Sequence, residues 1–159
     1  MNCPLFLEKK NINKFVSIRI LIGCFFIFSG FEKLVRPYEN FLYIIEGYQI
    51  LIKPLAEIVA IILPWFEFIL GIFLILGLWS RVALRALLIL TTAFLLTVSQ
   101  ALLRNLPIKD CGCFGELFSI PLPTILIFDG CLLILIAVLI AFREEASHLS
   151  LDRYFLKKQ

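Results

Sequence analysis

The chain has 159 residues, of which 61% are hydrophobic and 17% charged, with a formal net charge of +3 and a mean hydropathy of +0.98. Soluble domains run at about 45–50% apolar and about 25% charged. This composition therefore excludes an ordinary soluble enzyme, a disordered regulator and a nucleic-acid-binding domain.

Four apolar runs, near residues 15–35, 55–79, 82–103 and 121–142, are each long enough for a bilayer core, which needs about 20 residues. The expected fold is an all-α integral membrane protein: a four-transmembrane-helix bundle with an interfacial helix between spans one and two. Residues 1–14 read as a cytoplasmic lead, 15–142 as the membrane domain and 143–159 as a cytoplasmic tail.

The lead with Lys9, Lys10 and Lys14 resembles the start of a signal sequence, and Leu21-Ile22-Gly23-Cys24 a lipoprotein box. Arg19 interrupts the apolar stretch, however, and no small-x-small site follows, so an uncleaved first span is expected. Tyr38, Tyr43 and Tyr48 mark residues 38–54 as an interfacial segment, where amphipathic rings are favoured. Trp79-Ser80-Arg81 leaves almost no loop between spans two and three, and Pro121 and Pro123 open span four, where proline suits a first turn.

Basic residues orient the bundle. Ten lie on the side of the termini (Lys9, Lys10, Lys14, Arg19, Arg81, Arg85, Arg143, Arg153, Lys157, Lys158) and five on the other (Lys33, Arg36, Lys53, Arg104, Lys109). The positive-inside bias puts both termini in the cytoplasm, the chain in the inner (plasma) membrane and the loop near residue 111 outside.

Ionisable groups inside spans cost about 2.5–3.5 kcal/mol each and are candidates for function. At about 100° per residue, Arg19, Gly23, Phe26, Gly30 and Lys33 share one face of span one, with glycines that permit close helix approach. Glu57, Ala60, Pro64, Glu67 and Gly71 share one face of span two. Arg85, Thr92 and Ser99 recur along span three beside Gln100, with Leu96 on the same face, and Asp129 is the charge of span four. A Glu67–Arg85 pair is one structural use of these groups, and Arg19 and Arg85 lie close enough to the surface to snorkel. Glu57, Glu67, Gln100 and Asp129 are candidate quinone or proton contacts in a cavity opening towards the outer loop.

That loop carries Asp110-Cys111-Gly112-Cys113-Phe114-Gly115. Facing an oxidising compartment, Cys111 and Cys113 are placed to form a disulfide. A Cys-x-Cys bridge closes a very small ring, constrains little of the unfolded chain and suits exchange better than stapling. A plain surface turn and a Cu(I) site are the other readings. A closed zinc site is not expected, because it wants four ligands and His148 lies across the membrane; no metal ligand is assigned. About 140° from Arg19 and about 200° from Asp129 respectively, Cys24 and Cys131 point away from the polar faces.

These features resemble the MauE/DoxX family of redox-associated four-span membrane proteins. Arg19-x3-Gly23, Ser29-Gly30-x2-Lys33-Leu34, Pro37, Tyr48, Pro54, Glu67, Gly71 and Gly77 are similar to the DoxX pattern, and Cys111-Gly112-Cys113-Phe114-Gly115 to the MauE cysteine motif. The resemblance implies periplasmic thiol–disulfide chemistry: MauE is associated with maturation of methylamine dehydrogenase, and DoxX relatives with quinone-coupled sulfur oxidation. Two functions follow as expectations. One is a redox protein passing electrons between a thioredoxin-like or other periplasmic thiol partner and the membrane, with a quinone as the possible cofactor. The other is a non-enzymatic assembly factor or subunit whose Cys-Gly-Cys loop docks a partner or carries Cu(I).

Overall fold

The computed structural model describes residues 5–104, 106 and 122–142, with side chains from Lys14 onward. Within them the chain forms α1 (Leu5–Val35), α2 (Tyr38–Gly47), α3 (Lys53–Leu76), α4 (Ser80–Leu103) and α5 (Leu122–Ala141). Four stretches are long and apolar enough to cross a membrane: Lys14–Val35, Lys53–Leu76, Ser80–Leu103 and Leu122–Ala141. The expected four-span all-α bundle is the fold, and α2 is the short interfacial helix. Helix α1 begins at Leu5, so part of the polar lead continues the first span.

Sequence punctuation sets the element ends. Pro54 falls in the first turn of α3, where its missing N–H costs nothing. Gly77 closes α3 in the left-handed conformation, φ 68°, which glycine adopts without strain. Trp79 follows at φ 46° as the N-cap of α4, and its largely exposed ring suits a membrane–water boundary.

The tightest contact is between α1 and α3, which run antiparallel: Gly23 lies against Gly71 and Ile75, and Gly30 against Pro64 and Phe68. Side chains longer than hydrogen do not fit there. A Cβ on Gly30 would lie 2.7 Å from the Phe68 amide nitrogen and 2.8 Å from the Pro64 carbonyl oxygen, and one on Gly71 2.8 Å from the Gly23 oxygen. Small residues thus let the two backbones touch, the usual route to helix association in lipid.

Helices α4 and α5 form the second antiparallel pair. Leu84 and Leu87 join Leu132, Ile136 and Leu139 at one level; Val98 and Ala101 join Leu122 and Ile125 at another. Phe25 against Phe128 and Phe15 stacked on Phe142 close the ring between α1 and α5. Large apolar side chains such as Leu21, Phe31, Trp65 and Ile89 remain exposed on the outside, as lipid-facing residues do.

Tyr38 and Tyr43 of α2 are exposed, as an interfacial helix requires, but Tyr48 is buried and packs with Val98, Ala101, Leu122 and Ile125. It anchors α2 to the α4–α5 pair instead of facing solvent.

Replacing Gly30 with alanine is expected to destabilise the detergent-solubilised protein by about 1–3 kcal/mol, the usual cost of overpacking. Gly130 has nothing within 4 Å of its Cβ position. Gly130→Ala should leave the protein unchanged or slightly more stable, and thermal unfolding of the two variants side by side checks both expectations.

Candidate functional site

The buried face of α1 contains Arg19, Ser29, Glu32 and Lys33, and that of α3 contains Glu67. Where glycine brings these faces together, the Lys33 ammonium lies 2.6 Å from Glu67 Oε2. It also donates to Ser29 Oγ at 2.9 Å, and Ser29 in turn donates to Glu67 Oε2 at 3.2 Å. The pair is almost fully buried, with side-chain exposures of 2% for Lys33 and 1% for Glu67. Its ammonium sits 5.3 Å from the Phe41 ring centroid and 5.7 Å from that of Phe94, within the range of cation–π attraction.

This arrangement replaces the expected Glu67–Arg85 pair. Arg85 is exposed on α4, so the partner of Glu67 is Lys33, which hydropathy counts among the flanking charges. Both helix faces are visible in the sequence; their partnership is not. Arg19, expected to snorkel to the surface, is instead buried at 2% exposure.

Of the four candidate contacts, Glu67 and Asp129 come together. Asp129 is buried on α5 within electrostatic range of Lys33 and Glu67, and its Oδ2 makes no hydrogen bond among the described residues. Gln100 lies on α4 with a buried Oε1, likewise without a hydrogen bond among the described residues. Glu57 is exposed. The buried stripe of α3 runs through Ala56, Ala60, Pro64, Glu67 and Gly71, so at its first turn the small alanine faces inward and the carboxylate outward.

The expected polar face of α4 is also redrawn. Leu96 is exposed, and the hydroxyls of Thr91, Thr92 and Ser99 donate to the carbonyls of Leu87, Leu88 and Leu95 at 2.8, 2.7 and 2.7 Å. Such back-bonds satisfy a hydroxyl within its own helix. Cys24 and Cys131 are exposed and free, in keeping with an outward orientation. Cys111 and Cys113 lie outside the described residues.

Beside the ion pair is a second feature with no signal in the helical patterning. A partly open cavity of about 220 Å³ lies between α2, α3 and α4. Phe41, Ile44, Ile45 and Tyr48 line it from the α2 side, Val59 and Leu63 from α3, and Leu90, Ala93, Phe94 and Thr97 from α4, with Ile50 and Leu51 at the α2–α3 connection. Phe41 and Phe94 belong to both regions, lining the cavity and meeting Lys33.

The family model of methylamine utilisation protein MauE matches residues 11–142. The chain belongs to the MauE family. No curated protein and no solved structure shows a significant match. The matched region takes in α2–α5 and all but the start of α1, so the ion pair, Asp129 and the cavity all lie inside the family domain.

Breaking a buried pair strands a charge, at a typical cost of about 3–5 kcal/mol. Lys33→Met and Glu67→Gln should therefore each lower thermal stability strongly, whereas the double variant Lys33→Met/Glu67→Leu recovers most of the loss. Glu57→Gln should stay within about 0.5 kcal/mol of the parent, as exposed substitutions usually do. Unfolding of the four variants in one detergent tests the set.

Proposed function

We propose that this chain is a membrane accessory protein for maturation of an extracytoplasmic partner, acting through thiol–disulfide exchange at Cys111 and Cys113. The family description, a methylamine utilisation protein, supports an accessory role in the maturation of a partner. The observation that carries the reading is the position of the two ends of the loop. Leu106 and Leu122 both pack in the cluster around Tyr48, so the connection that carries the two cysteines leaves and re-enters the bundle beside α2. Lys33, near the end of α1 that leads into α2, places the buried ion pair in that half of the bundle.

The exchange balances as follows. A thiolate of a thioredoxin-like partner attacks one sulfur of a Cys111–Cys113 disulfide, forming a mixed disulfide and releasing the other sulfur as a thiolate. The partner's second thiolate then resolves the mixed bond. The partner leaves oxidised, and Cys111 and Cys113 hold the two electrons as a dithiol. Restoring the disulfide requires a two-electron acceptor, and inside a membrane the lipid-soluble class able to take two electrons and two protons is the quinones. In this reading the loop faces the periplasm and both termini the cytoplasm, as the basic residues favour. Asp129 and the Lys33–Glu67 pair are the buried groups placed to hold protons on that side.

Labelling intact cells with a membrane-impermeant maleimide tests topology and redox state together. Cys111 and Cys113 should label only after reductant, and one of the variants Cys111→Ser and Cys113→Ser should accumulate a reducible adduct with a periplasmic thiol protein. Labelling without reductant, with no adduct in either variant, would sink the exchange mechanism. Failure to label even after reductant would reverse the orientation.

A further inference from the structure

We propose that the cavity between α2, α3 and α4 binds the ring of a lipid-soluble quinone, with the Thr97 hydroxyl as the hydrogen-bond donor to a ring carbonyl. The inference takes its acceptor class from the exchange reading above, but the site rests on its own geometry.

Size comes first. The cavity holds about 220 Å³, and an apolar cavity of about 150 Å³ already accepts a benzene ring. A single six-membered ring with small substituents therefore fits, its tail leaving through the open side. Shape and chemistry agree with a flat occupant: Phe41, Tyr48 and Phe94 contribute aromatic rings, and Leu63 and Ala93 are among the apolar residues that complete the wall. Aromatic faces favour a stacked or edge-on ring over an irregular chain.

Thr97 is the observation that points to a carbonyl. The neighbouring hydroxyls of Thr91, Thr92 and Ser99 are each used on the carbonyl one turn back. Thr97, which lines the cavity, has no such bond among the described residues. In a wall that is otherwise almost wholly apolar, this half-buried hydroxyl is a donor available to a ligand oxygen. A hydrocarbon chain offers the Thr97 hydroxyl no acceptor. The Lys33 ammonium lies 5.3 and 5.7 Å from the ring centroids of Phe41 and Phe94, two of the residues that line the cavity.

Binding is measured directly on the full chain in lipid nanodiscs, with a benzoquinone carrying a short alkyl tail as the probe and stearic acid as the competitor. Saturable binding is expected. Thr97→Val, which keeps the side-chain shape and removes the donor, should weaken it by about three- to tenfold, the scale of one hydrogen bond. Ala93→Phe, which fills the cavity, should abolish it. Thermal unfolding of each variant without probe separates loss of the site from loss of the fold. Should Ala93→Phe not fold, Ala93→Leu takes its place. Unchanged affinity in both the Thr97→Val and the cavity-filling variant would overturn the proposal, as would equal competition by stearic acid, which would make the cavity a lipid-chain slot. Probe binding should persist in the Cys111→Ser/Cys113→Ser double variant. If it does while the parent chain shows no thiol–disulfide exchange, the exchange mechanism fails and the site stands.

Discussion

An ammonium and a carboxylate buried between two helices constrain the rest of this bundle. Lys33 and Glu67 are almost without solvent contact, in segments that cross a medium with no water to replace their hydration. Desolvating two ions costs several kcal/mol each, and the pair is tolerable only because its geometry is short and its remaining valences are met. Ser29 bonds to both ions, and two aromatic rings face the ammonium. None of this is reachable unless α1 and α3 approach backbone to backbone. That approach depends on Gly23, Gly30 and Gly71, where a single methyl group would collide with main-chain atoms.

The same constraint organises the neighbourhood. Phe41 and Phe94 both meet the inward Lys33 ammonium and both line the apolar cavity between α2, α3 and α4. Tyr48, buried against α4 and α5, ties the interfacial helix to the bundle and completes the cavity's wall. The two ends of the cysteine-bearing loop converge on that same cluster. A MauE-family domain of this form brings a buried ion pair and an apolar cavity to one half of the bundle.

Much of this was legible in the sequence, and the failures share a cause. Helical steps located the inward faces of α1 and α3 correctly, including Gly30, Lys33, Glu67 and Gly71, and identified Asp129 as inward. They erred where neighbouring residues compete for one face. Ala56 and Glu57 lie on either side of the same stripe, and only packing decides that the smaller one turns inward. They erred again in α4, where Thr92 and Ser99 look like an interior polar face but satisfy their hydroxyls locally. Thr97 carried no signal, because a hydroxyl that is not back-bonded looks the same in a sequence as one that is.

Composition and periodicity by themselves determined the membrane, the four crossings, the interfacial helix and the residues offered to the interior, because burial in lipid is a property of single helices read one at a time. Partnership is a property of pairs. That Glu67 meets Lys33 rather than Arg85, that Tyr48 is buried while Tyr38 and Tyr43 are not, and that a cavity opens beside Thr97 were decided by the tertiary structure alone. Each depends on the rotation and depth at which helices meet, and for α1 and α3 the contact between glycines sets both.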